Sequence, residues 1–154
     1  MSVGRFLNAD FLNNTKQSIG TINTKAKEGN LVNGTYDSNG NMVFSTLVHP
    51  CKGEYWMLLG TIDNENVLNS DDKMTNVGDV VRACRIPIGA ELVVPLSNTN
   101  SDDTIIEGDY LVPASDGTYI KDPSGPSDAP YSMVFVVKQV GADELILERT
   151  YPGQ

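Results

Sequence analysis

The stretch "YSMVFVVKQVGADELILERTY" occupies residues 131–151. Met133, Phe135 and Val137 alternate with Val134, Val136 and Lys138, the two-residue period that sends successive side chains to opposite faces of a strand. Gly141-Ala142-Asp143 interrupts the run. Leu145 and Leu147 then alternate with Glu144, Ile146 and Glu148. Two alternating runs around a short Gly/Asp turn predict an antiparallel hairpin turning at 141–143, with one face buried.

The same grammar extends upstream. In "IIEGDYLVPASDGTYIKD" (105–122) two short apolar runs flank Ser115-Asp116-Gly117, which predicts a second hairpin turning at Asp116-Gly117. "VNGTYDSNGNMVFSTLV" (32–48) holds two Asn-Gly dipeptides, Asn33-Gly34 and Asn39-Gly40. Asn-Gly favours the left-handed backbone of tight hairpin turns. Asn39-Gly40 lies between Thr35-Tyr36 and Met42-Val43-Phe44, so the third hairpin is expected there. "GEYWMLLGTI" (53–62), "AELVVPL" (90–96) and "TIIEGDYLVP" (104–113) read as further strands. Residues 63–79 and the proline-rich 122–131 read as loops. "DVVRACRIPIG" (79–89) alternates with an arginine on each side, Arg82 beside Val80 and Cys84, and Arg85 beside Val81 and Ala83. Neither face is purely apolar. Pro87 lacks the N–H a ladder needs, so this strand is expected at a sheet edge or an interface.

Short strands with turn signals every eight to twelve residues predict an all-β fold, a small barrel or a sandwich. Residues 1–30 carry only scattered apolar side chains among Asn, Thr, Lys and Gly, and read as an N-terminal arm or irregular lead-in. Residues 31–154 read as the β-domain. A chain of 154 residues with 40% hydrophobic content suffices for one domain with a core of its own.

Composition narrows the function. Eleven basic and 20 acidic residues give a net charge of −9, which repels a phosphate backbone, so nucleic acid is not an expected partner. No apolar run approaches the ~20 residues of a membrane helix, and the N-terminal residues lack the apolar core of a secretory signal. The two cysteines, Cys51 and Cys84, are expected as free thiols rather than a bridge. His49 is the single histidine. With Cys51 and Cys84 it falls short of the roughly four ligands of a zinc site, and His49-Pro50-Cys51 places its reactive groups as near neighbours rather than as a convergent pair. The acids Asp71-Asp72, Asp102-Asp103 and Glu107-Gly108-Asp109 fit solvated loops, and "DNENVLNSDDKM" (63–74) departs from the calcium-loop pattern at Val67. Trp56, in an apolar run, reads as core. No enzyme activity and no cofactor are expected.

From residue 84 onward the order of features resembles the head decoration (auxiliary or cement) proteins of tailed bacteriophages. "EGDYLVPASDGTYIK" is similar to a Gly-Asp and Asp-Gly-Thr element of that family. It is followed by a variable loop, a strand like "YSMVFVVKQV", a short turn and a final strand like "ELILERTY". The upstream "IPIGAELVVPL" is similar to the strand that precedes them. The resemblance covers about residues 84–151. It implies a β-barrel or β-tulip-like domain on the outside of an icosahedral head, made in the host cytoplasm. The partners it implies are the major capsid protein and further copies of the chain, with a trimer first and a dimer as the alternative. The competing reading is a carbohydrate-binding or adhesin-type β-sandwich, which requires a row of exposed aromatics on one face.

A contact role directs attention to unsatisfied side chains. Phe6, Leu7, Phe11 and Leu12 are too sparse to form a core, yet burying each stabilises by roughly 1.5–3 kcal/mol. They are expected to pack against the capsid or a sister subunit, with Arg5 as a polar anchor. Arg82 and Arg85 are expected at a subunit contact, at least one of them meeting a carboxylate. The alternative is that both are solvated.

Overall fold

Three of the segments above have apolar residues on both faces, and the architecture follows from them. The computed structural model describes residues 5–6, 16–48, 51–61, 74–99, 104–122 and 131–151. In chain order its strands are β1 (Arg5–Phe6), β2 (Gln17–Ile22), β3 (Leu31–Tyr36), β4 (Met42–Ser45), β5 (Trp56–Thr61), β6 (Val80–Arg85), β7 (Glu91–Pro95), β8 (Tyr110–Pro113), β9 (Tyr119–Lys121), β10 (Val134–Val140) and β11 (Glu144–Thr150). Strands β2, β4, β3, β5 and β6 close into a barrel, and the other six form a sheet in the order β1-β7-β11-β10-β8-β9. The protein is all-β, as the alternation predicts.

Strands β3, β5 and β6 are the wall common to two cores. Val32, Trp56, Leu58, Val81 and Ala83 point into the barrel with Ile22, Met42 and Phe44. Their neighbours Leu31, Met57 and Cys84 point outward, onto Leu92, Val94, Leu111, Phe135, Leu145 and Leu147 of the six-stranded sheet. Two-sided burial explains why "YWMLL" reads as a continuous apolar run rather than an alternating one. On the six-stranded sheet, Met133, Phe135 and Val137 are all buried, the face the alternation selects.

All three predicted hairpins form. At the first, the Asp37 backbone N–H donates to Asn41 O, and the Asp37 carboxylate accepts from the N–H groups of Asn39 and Asn41. At 141–143, Gly141 N–H donates to Glu144 O at 2.8 Å. The hairpin at Asp116-Gly117 does more than reverse the chain. Its Gly117 carbonyl accepts from Leu31 N–H of β3 at 2.8 Å, and Tyr119 packs edge-on against Phe135 with ring centroids 5.2 Å apart. The turn is a clasp between the sheet and the barrel.

A second tie is polar. Arg149, buried at the end of β11, makes a bidentate ion pair with Glu54 and donates to the carbonyls of Ile86 and Ser132. One guanidinium thereby joins the segment before β5, the end of β6, the segment before β10 and β11.

Three expectations need correction. Residues 16–30 belong to the barrel rather than to a lead-in: β2 pairs with β6 from Gln17↔Cys84 to Thr21↔Val80, and runs parallel to β4. Its inward face carries little hydrophobicity because a Cβ at position 20 would strike the Met42 carbonyl. Of the two Asn-Gly dipeptides only Asn39-Gly40, the one expected to turn, does so; Asn33-Gly34 lies inside β3, paired with Ser45 and Phe44. Strand β6 lies at no edge, since it pairs with β2 on one side and β5 on the other. Pro87 falls after the strand ends, where it interrupts no ladder. The expected strand 104–113 is also shorter, beginning at Tyr110.

Two substitutions test the ties. Gly117 has φ 84°, and an added Cβ would lie 2.5 Å from Leu31 O, whereas Gly40 has φ 81° with nothing within 4 Å. Gly40→Ala should cost only the left-handed backbone term of about 1–2 kcal/mol. Gly117→Ala should cost about 1–3 kcal/mol more, the usual range for forced overpacking, read as a lower midpoint in urea. Arg149→Met should destabilise by roughly 2–4 kcal/mol because the carbonyls of Ile86 and Ser132 lose their donor, while the half-exposed Glu54 turns to water. Glu54→Gln leaves the buried guanidinium without its counter-charge and should cost about 1–3 kcal/mol, more than an exposed pair is worth.

Candidate contact surface

The two arginines of β6 are three residues apart and face opposite ways. Arg82 is exposed on the outside of the barrel, in register with Ile19 on β2 and Gly60 on β5. Ile19 is 54% exposed. With Thr21 these residues form a barrel wall of mixed polarity that none of the described sheet residues covers. Arg85 turns inward at the barrel mouth, and its guanidinium lies over Trp56 with Cζ 4.1 Å from the ring centroid. Within the chain it meets an aromatic face. The strand expected at an edge therefore presents one arginine to solvent and keeps the other for the mouth.

The N-terminal candidates are only partly described. Arg5–Phe6 adds a short edge strand to the sheet, in register with Val93 and Leu92. Leu7, Phe11 and Leu12 lie outside the described residues, as do His49, Asp71-Asp72 and Asp102-Asp103. The described candidates are not brought together: Arg5–Phe6 lies on the sheet, Arg82 on the barrel wall and Arg85 at the barrel mouth.

The mouth was less visible in the sequence. Its floor is Trp56, set edge-to-face against Phe44 with centroids 5.9 Å apart. The indole fits because position 34 is glycine: a Cβ there would sit 2.6 Å from Nε1. Lys16, just ahead of β2, brings its ammonium to 5.9 Å from the same ring. The one available signal was an Asn-Gly pair without a turn to serve.

Several described titratable groups have architectural partners. Asp109 accepts from Ile106 N–H at 2.9 Å and pairs with Lys121 at 3.3 Å. Among the described residues no group of three His, Cys, Asp or Glu side chains converges as a metal site would require. Cys51 and Cys84 are buried free thiols. Burial pushes the Cys84 thiol up to about 12, and raises Cys51 as well, with the negative charge of Asp116 as a second cause. Such thiols make poor nucleophiles near neutrality.

The sign of the linkage follows. The folded thiol of Cys84 holds its proton more tightly than the ordinary 9.0. The stabilisation is complete below that value and is lost as pH rises from 9 toward about 12. Native protein at about pH 8 should react with an aromatic disulfide reagent far more slowly than urea-unfolded protein does. Equal rates in the two states would contradict the burial.

No protein-family model matches the sequence, and no curated protein matches it. Among solved structures, the fold is similar to that of the N base of the head fiber gp8.5 of bacteriophage phi29, with a TM-score of 0.51 and 13% sequence identity. The match covers 91% of this chain and 98% of that one. What the two chains share at this identity is their fold.

Proposed function

We propose that this chain is a structural protein of a bacteriophage head, a decoration or cement protein that binds the outer surface of the shell. The observation that carries the reading is the nearly complete mutual coverage between this fold and the head fiber base of phi29. The motif order over residues 84–151 points the same way independently.

On this reading the partners are the major capsid protein and other copies of the chain, with a trimer first and a dimer as the alternative. The N-terminal residues Arg5, Phe6, Leu7, Phe11 and Leu12 are the capsid- or subunit-binding element, and the wall around Arg82 and Ile19 is the second candidate contact. The carbohydrate-binding alternative gains nothing specific. Tyr36 and Tyr151 are strongly exposed, but one ends a barrel strand and the other follows the last strand of the sheet, so they make no row.

The test is co-sedimentation of purified protein with undecorated heads of the phage that encodes it. Full-length protein should pellet with the shells. A variant lacking residues 1–14 should remain folded by circular dichroism and bind at least about tenfold more weakly, the loss expected when one or two buried apolar side chains are removed. Arg82→Glu should shift the sedimentation coefficient of the free protein if that wall joins copies. Full-length protein that stays in the supernatant at all concentrations would overturn the proposal.

A further inference from the structure

The barrel mouth has donors and positive charge but lacks an acceptor. Trp56 is 1% exposed, and its Nε1 is a buried donor with no hydrogen-bond partner among the described residues. Nη1 of Arg85 is a second buried donor in the same condition, on the guanidinium stacked over that indole. Buried polar groups are nearly always satisfied, and each exception calls for an explanation. Two exceptions on one stacked pair call for a common one.

The charge at the mouth sharpens it. Two cations, Arg85 and Lys16, approach the same ring at 4.1 and 5.9 Å in a chain whose net charge is −9. By contrast, Lys121, Lys138 and Arg149 each stand beside a carboxylate. Neither mouth cation has such a partner among the described residues. A guanidinium receives a carboxylate through two parallel hydrogen bonds, and Nη1 of this one is left without a partner. Gly34 holds the place where any side chain would push the indole away.

We infer that the mouth of the barrel binds a carboxylate, with Arg85 as its principal donor, the Trp56 indole N–H as the second, and Lys16 supplying charge at the rim. The carboxylate comes either from an Asp or Glu side chain of an acidic protein segment or from a small organic acid. The shared chemistry is one planar, singly charged group. A multiply charged phosphate is disfavoured by the surrounding negative charge. The inference does not depend on the proposed role in a phage head.

Trp56 is the only tryptophan of the chain, so its emission reports on the mouth directly. Purified full-length protein is titrated with acetate, with succinate and with a hexaglutamate peptide, at ionic strength held constant with chloride. A saturable change in intensity or wavelength is expected with at least one of them. Saturation by the peptide well below the acetate concentration assigns the site to a protein side chain, and saturation by the small acids alone assigns it to a free acid. Arg85→Gln should weaken binding by about tenfold or more, as loss of a charged hydrogen bond does. Should that variant fail to fold, Lys16→Gln removes an exposed side chain and should weaken binding about two- to fivefold, in keeping with a rim charge. The melting temperature of the unmodified protein should rise with the same ligands. No saturable change with any carboxylate, an equal response to inorganic phosphate or chloride, or unchanged affinity in both variants would overturn the assignment.

Discussion

The wall made by β3, β5 and β6 has to be apolar on both of its faces, and the rest of the structure is arranged around that requirement. A single sheet buries one side against a core and wets the other. Here the inward set, from Val32 to Ala83, needs a barrel to close over it, and the outward set, Leu31, Met57 and Cys84, needs a second sheet. Closing the barrel removes the open edges that would otherwise pair with other chains. The six-stranded sheet covers what the barrel leaves outside. The Gly117 turn and the Arg149 guanidinium then fix one unit against the other at separate points of the seam. Apolar contact sets how much is buried, and these polar ties set the register in which it is buried.

The same arrangement decides how much of the fold is readable in the sequence. The hairpins at Asn39-Gly40, Asp116-Gly117 and 141–143 are legible because each is a local event, with a turn residue and alternation on both sides. Strand β2 is not. Position 20 must be small because the Met42 carbonyl lies against it, and Ser18 is polar, so Ile22 alone marks the barrel interior with apolar bulk. Strand β6 misleads for a related reason. A charged residue on each face suggests an edge, but Arg85 sits at the end of the strand where the barrel opens, and an indole can receive it there. Barrel closure depends on β2 lying parallel to β4, a pairing between strands that are not neighbours in sequence, and no local pattern encodes that.

The candidate contact residues divide along the same line. Arg82 and Arg85 stand out in the sequence because each interrupts an apolar face, and both prove to occupy distinctive places. Lys16 and Gly34 are ordinary residues in a polar stretch, and they acquire meaning only when the closed barrel brings them to Trp56. Arg149 reads as one charge among several in the last strand. Its partner Glu54 is 95 residues away, and only the fold shows that the pair is an anchor.

The seam also sets when the chain can become a folded protein during its synthesis. The barrel cannot close until residues near Cys84 have emerged to pair with Gln17. The outward face of the wall stays bare until β10 and β11 exist. The Glu54 anchor waits for Arg149, almost the last described residue. Contacts of this separation make folding slow compared with helical domains of similar size, on the order of milliseconds to seconds. The barrel core can therefore close once β6 has emerged, whereas the outward face of its wall stays bare until the β10–β11 hairpin follows.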